Sequence, residues 1–171
     1  MSLLKKILLG LLGLVAVLLI IAAFLPKTFK AEGSIVINRP QQEVFDYVKY
    51  VKNQDNYGKW NLMDPEMKKT YEGTDGTVGF KYTWDGKKVG KGSQTILKIS
   101  EGEEIETELD FGFGDPAISY MIVEPVSATE TKVTWGISGN SPWPTNIMGL
   151  FYDMSGDFKE GLNNLKNVLE K

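Results

Sequence analysis

Histidine and cysteine are both absent from the 171-residue chain. That removes imidazole general bases, Ser-His-Asp arrangements, thiolate nucleophiles, disulfides and N/S zinc sites together. Any catalysis would fall to carboxylates, lysine, tyrosine or water. Two stretches concentrate such groups. Glu101, Glu103, Glu104, Glu106, Glu108 and Asp110 form an acidic run. Paired carboxylates can do acid–base work when their environments split their pKa values. Here, alternation with Ile105, Thr107 and Leu109 sends Glu106, Glu108 and Asp110 to the solvent face of a strand. Gly90-Lys91-Gly92 starts like a phosphate-binding fingerprint, but it opens a strand. A phosphate cradle needs a helix N-terminus behind the loop, so close backbone packing or a bulge is the expected role. No catalytic residue, metal ligand set or cofactor is assigned.

Aromatic side chains say more. Tyr82, Trp84, Phe111 and Trp135 are expected to project from strands toward one interior. Rings in a cupped sheet either fill a core or wall an apolar pocket with a few polar handles. With Leu109, Met121 and Ile137 on the same strands, and Met148 and Phe151 from a terminal helix, they make the candidate ligand-binding set. Phe113, between Gly112 and Gly114, is either a gate or an exposed loop residue. Trp143, rigidly held between Pro142 and Pro144 before the terminal helix, either borders the pocket mouth or lies apart from it.

These side chains need elements to position them. From Asn146 to Leu169, apolar residues fall at Ile147, Phe151, Met154, Phe158, Leu162, Leu165 and Leu169. Steps of three and four put them on one helical face. Ser155-Gly156 is the expected kink or restart, with Ser155 able to cap the longer second part. Gly33 to Asn38 reads as a first strand. Pro40 suits a first helical turn, and Val44, Val48 and Val51 share one face of a short helix. Asn53 to Pro65 is expected to hold a second short helix that caps one end of the sheet. From Lys68 onward, turn signals separate strand-like runs, including Gly79 to Trp84, Ile105 to Phe113 and Val133 to Ile137. One apolar and one charged face per run suits a one-sided antiparallel sheet. The fold class is α+β: a curved antiparallel sheet of about seven strands gripping a long C-terminal helix.

Composition sets the outer bounds. Hydrophobic residues make up 42% and charged residues 24%, which is globular. The net charge of −3 does not suggest a nucleic-acid-binding surface. Ile7 to Leu25 carries no charge and is long enough to cross the roughly 30 Å hydrocarbon core of a bilayer. A cleaved signal peptide competes, but the run is longer than a usual signal core and Ala22-Ala23 offers a poor cleavage site. Residues 1–27 are therefore read as a transmembrane anchor and 28–171 as the domain. Lys5 and Lys6 on a short tail favour a cytoplasmic N-terminus and an extracytoplasmic domain. The localisation is single-pass membrane. Oligomeric state is not legible.

Ser34-Ile35-Val36-Ile37-Asn38-Arg39-Pro40, followed by Glu43-Val44-Phe45-Asp46-Tyr47-Val48, resembles the opening of the SRPBCC superfamily. That superfamily holds START lipid-binding domains, polyketide cyclase/dehydrase-like proteins and plant pathogenesis-related allergens. Trp60, Gly90-Lys91-Gly92, Glu124-Pro125, Thr131-Lys132-Val133-Thr134-Trp135, Phe158, Gly161-Leu162 and Leu165-Lys166 continue the likeness over residues 30 to 170. The resemblance implies a helix-grip fold and a hydrophobic small molecule or lipid as partner. It also leaves open a cyclase/dehydrase-type enzyme using Tyr82 or a pocket carboxylate. A third reading is an interaction domain with a filled core.

Overall fold

The computed structural model describes residues 2–171. Helix α1, Leu3–Phe24, is followed by strand β1, Thr28–Ile37, and helix α2, Gln41–Val48. A 3-10 turn at Val51–Asn56 leads into helix α3, Lys59–Met63. The meander then comprises β2 Lys68–Glu72, β3 Lys81–Gly86, β4 Gly90–Ser100, β5 Glu104–Asp110, β6 Ala117–Pro125 and β7 Thr131–Asn140. A second 3-10 turn, Thr145–Leu150, precedes helix α4, Ser155–Leu169. The seven strands form one sheet in the order β1-β7-β6-β5-β4-β3-β2. Consecutive strands from β2 to β7 pair antiparallel, joined by turns and loops with no crossover between them. This is the helix-grip architecture expected from the sequence.

The chain divides into two compact units. The larger comprises residues 30–139 and 154–171. Its core lies between the inner face of the sheet and α4. Phe158, Leu162 and Leu165 are buried there, as the helical spacing requires. Gly161 lets α4 approach the sheet: a Cβ at that position would come within 2.8 Å of the Trp135 ring. Phe158 and Trp60 both meet Trp135 edge-on, at 5.4 and 6.2 Å between ring centres. Arg39 holds the far end of α4. Its Nε donates to the Leu169 carbonyl at 2.6 Å, a cation on the negative end of the helix. Asp75, in the expected Gly73–Gly76 turn, accepts from the backbone amides of Val51 and Lys52 and so fixes the first 3-10 turn.

The smaller unit comprises residues 1–29 and 140–153. Of the described residues of α1, Ala22 alone is buried. Its leucines, isoleucines and valines stand exposed around the whole helix, with no polar stripe.

Three expectations need correction. The terminal helix begins at Ser155, not Asn146, so Ile147 and Phe151 do not share its buried face. Ser155 is the restart but not the cap; Met154 holds the cap position without a side-chain hydrogen bond. Gly149 weakens the helix interior expected before Ser155, whereas Gly156 and Gly161 are accommodated within α4. The run Ile105 to Phe113 ends as a strand at Asp110, where Gly112 takes a φ of 75° that breaks the pleat. β1 begins at Thr28, five residues earlier than its alternation suggested.

Candidate functional site: the inner face of the sheet

Alternation on strands of the one sheet sends one set of side chains inward. Tyr82 and Trp84 come from β3, Met121 from β6, and Trp135 and Ile137 from β7. All five are buried on the inner face. Leu109 is partly buried against the cluster formed by Val51, Met67, Phe80, Tyr82, Trp84 and Ile96. Phe111 lies just past the end of β5 and is 36% exposed, its ring 6.2 Å from Trp84 and 6.3 Å from Phe113. Met148 and Phe151 belong to the other unit, where they stand 68% and 76% exposed. Met148 and Phe151 are thus not in the same compact unit as the inner-face group.

The inner face also carries a polar track that the apolar alternation did not single out. Gln94 on β4 donates through Nε2 to the Thr107 hydroxyl on β5, at 3.0 Å. Ser119 on β6 donates to the Gly136 carbonyl on β7, also at 3.0 Å. Thr107 and Ser119 face each other in the β5–β6 register. All three side chains are buried, so these bonds offset the cost of taking them out of water. A signal for them existed. Thr107 and Ser119 occupy inward phases of Ile105-Thr107-Leu109 and Ala117-Ser119-Met121, where a polar residue is out of pattern.

A small cavity of about 10 Å³ opens beside the track. Val48, Val51, Ile105, Met121 and Trp135 form its apolar wall, and Gln94, Thr107 and Ser119 its polar wall. That volume holds about one water. The rings beside it are tightly constrained. A Cβ at Gly92 would collide with the Trp84 ring and come within 2.8 Å of the Asp110 carbonyl. Close packing is thus what Gly90-Lys91-Gly92 provides.

Electrostatically the inner face is quiet. Tyr82 donates to the Met67 sulfur at 3.6 Å, and burial, with help from Asp55, pushes its phenol well above the usual range. It keeps its proton at neutral pH and is a poor acid. Tyr57 is fully buried, its hydroxyl has no partner, and burial pushes it up further. The buried carboxylates lie elsewhere. Asp64 accepts from the Lys88 amide at 2.7 Å. Asp157 accepts from Lys59 Nζ at 2.6 Å, which together with Glu160 raises the lysine pKa. The Glu106–Asp110 carboxylates lie at the outer side of β5, as alternation requires. Among the described residues, no cluster of acidic side chains is arranged to hold a metal ion.

Comparison with known proteins places this geometry. No curated protein matches the chain by sequence. Solved structures do match by shape. Norcoclaurine synthase from Thalictrum flavum, in complex with dopamine and hydroxybenzaldehyde, superposes with a TM-score of 0.63 at 9% identity, covering 84% of this chain and 87% of that one. A Thermobifida fusca protein gives 0.62 at 16% identity, covering 82% and 92%. The Aha1 protein of Colwellia psychrerythraea gives 0.59 at 14% identity, covering 83% and 96%. At these identities the likeness is one of fold. The family profile described as polyketide cyclase/dehydrase and lipid transport matches residues 28–170, which is every strand and helix after α1. The chain therefore belongs to the polyketide cyclase/dehydrase and lipid transport family.

Proposed function

We propose that this protein is a membrane-tethered binding module for a hydrophobic or amphipathic small molecule, a lipid among the candidates. The observation that carries this reading is the inner face itself: aromatic walls around a short track of neutral hydrogen-bonding groups. Apolar rings supply the driving force, at about 25 cal/mol per Å² buried. Gln94, Thr107 and Ser119 supply orientation, as a few polar handles do in ligand pockets. An acid–base enzyme is less well supported, because Tyr82 is a poor acid and the buried Asp64 and Asp157 are engaged away from the cavity wall.

The ligand-free cavity holds about one water, so binding requires the inner side chains to part. Met67, Met121 and Gln94 are unbranched side chains that can do this without backbone movement. In this reading α1 is a membrane anchor, with the N-terminus in the cytoplasm and the domain on the other side. Its length and all-round apolar surface suit a bilayer span. Anchoring would concentrate a membrane-soluble ligand near the domain.

Titration of residues 28–171 with fatty acids and apolar fluorescent probes tests the reading. Binding should saturate and change the emission of Trp84 and Trp135. Tyr82→Phe should cost a carrier no more than one hydrogen bond, about 0.5–1.5 kcal/mol, whereas an enzyme using that hydroxyl would lose about 10²–10⁴ in rate. Failure of every apolar ligand to bind the folded domain would remove the carrier reading.

A further inference from the structure

The smaller unit contains a feature that ligand binding leaves unused. From Asn140 to Tyr152 the chain carries no charged residue. Trp143, Met148, Leu150, Phe151 and Tyr152 are each at least half exposed. So many large apolar side chains in succession on a surface mark a contact site.

Their placement says what they contact. The Ser141 amide donates to the Lys27 carbonyl at 2.8 Å. Asn146 is buried, and its carboxamide nitrogen lies 2.7 Å from the Ala22 carbonyl and 3.3 Å from those of Leu25 and Pro26. The Ala22 carbonyl also accepts from the Leu25 amide, and those of Leu25 and Pro26 lie just past the helix end, so Asn146 binds the chain where α1 stops. Further in, Trp143 Nε1 donates to the Leu19 carbonyl at 3.1 Å. The segment is thus fastened along the last turns of α1. At 1.5 Å per residue, Leu19 lies about 7.5 Å inside the helix end.

Those bonds have a specific value in lipid. Unpaired carbonyls and indole N–H groups are costly where water is scarce; the Leu25 and Pro26 carbonyls and the Trp143 indole have partners here, although the buried Asn146 Oδ1 has none. Tryptophan and tyrosine favour the boundary between hydrocarbon and headgroups, and Lys27 follows at the depth of the phosphates. A segment pinned between the end of a span and about 7.5 Å inside it would meet the same bilayer.

We propose that Pro142–Tyr152 is a second membrane-contacting element, seated in the headgroup and upper acyl layer of the bilayer that α1 crosses. The inference rests on the reading of α1 as a span. It makes α1 and this segment one membrane-bound unit, and cleavage after α1 would strip Asn146 and Trp143 of their partners.

The absence of cysteine makes the test direct, since any introduced thiol is unique. Leu12→Cys, Met148→Cys, Phe151→Cys and Val126→Cys are made in the full chain, each labelled with an environment-sensitive fluorophore. All four replace exposed side chains. Val126 lies in the turn between β6 and β7, at the end of β7 opposite Asn140. The proteins are reconstituted in phosphatidylcholine–phosphatidylglycerol vesicles carrying spin-labelled acyl chains. The expected result is loss of emission at positions 12, 148 and 151, with position 126 unquenched. Quenching at 12 with none at 148 and 151 beyond the level of 126 overturns the inference and leaves the anchor standing. No quenching at 12 removes the anchor, and the inference with it.

Discussion

α1 and α4 both carry many apolar residues, yet they distribute them differently around the helix. α4 buries Phe158, Gly161, Leu162 and Leu165 on one face and turns Lys159, Glu160 and Asn163 outward. α1 is apolar on every face and buries Ala22 alone among its described residues. A stripe needs a protein core to receive it; an all-round apolar surface needs a medium that surrounds it. The glycines repeat the contrast. A Cβ at Gly161 meets the Trp135 ring, whereas one at Gly10 or Gly13 meets nothing within 4 Å.

The largest expected effect tests the core side of this comparison. Phe158→Ala should destabilise the larger unit by about 3–5 kcal/mol, as deletion of a buried ring does. Leu12→Ala should leave the same unfolding transition unmoved. Denaturant midpoints followed by tryptophan emission measure both, and equal shifts would break the distinction.

Glycine substitutions sharpen it. Gly161→Ala should cost about 1–3 kcal/mol through overpacking against Trp135, even though alanine is the better helix former. Gly13→Ala has open space and should be neutral or slightly stabilising to the helix. The sign of the difference, read from thermal unfolding and from helical circular dichroism, decides it.

On the outer face of α4, Lys159→Ala should stay within about 0.5 kcal/mol. A loss comparable to that of Phe158→Ala would mean that the helix buries a different face. Removing residues 1–27 should leave a soluble, cooperatively unfolding domain, although the 140–153 segment then loses the carbonyls that Asn146 and Trp143 engage. An insoluble or unstructured fragment would show that the two units are not separable.

The smallest effect is a pH dependence. The Tyr120 hydroxyl, then Lys30, holds the Glu32 carboxyl below its ordinary value of 4.5. The Asn38 backbone amide does the same for Glu170, with Lys166 adding to it. A depressed carboxyl contributes stability that is present above the ordinary value and lost as pH falls through the folded one. Stability should therefore decline as pH drops below about 4.5. Glu170→Gln should flatten part of that decline. Glu32 is exposed and Glu170 half-buried, so salt should weaken the effect, more at Glu32.

How much of this could be read from the chain differs by region. The meander was legible because alternation reports a one-faced sheet directly, and the turn glycines broke it at the right places. The second half of the terminal helix was legible for the same kind of reason, since its apolar steps of three and four continue from Phe158 to Leu169. The first half was misread because Ile147, Phe151 and Met154 keep the same spacing by accident. Periodicity cannot see that Pro144 and Gly149 favour a 3-10 turn, nor that Asn146 spends its amide on the carbonyls of α1.

The order of the elements, the inward phase of the apolar strand residues and the all-round apolar segment near the N-terminus follow from local patterns, because side-chain direction alternates with a fixed period once an element forms. Which inward groups touch is a matter of tertiary structure. Gln94 reaches Thr107 because a bulge between Ile96 and Lys98 sets the β4–β5 register, and Trp135 meets Gly161 because β7 passes beneath α4. Such contacts join residues far apart in the chain, and no local pattern encodes their distance.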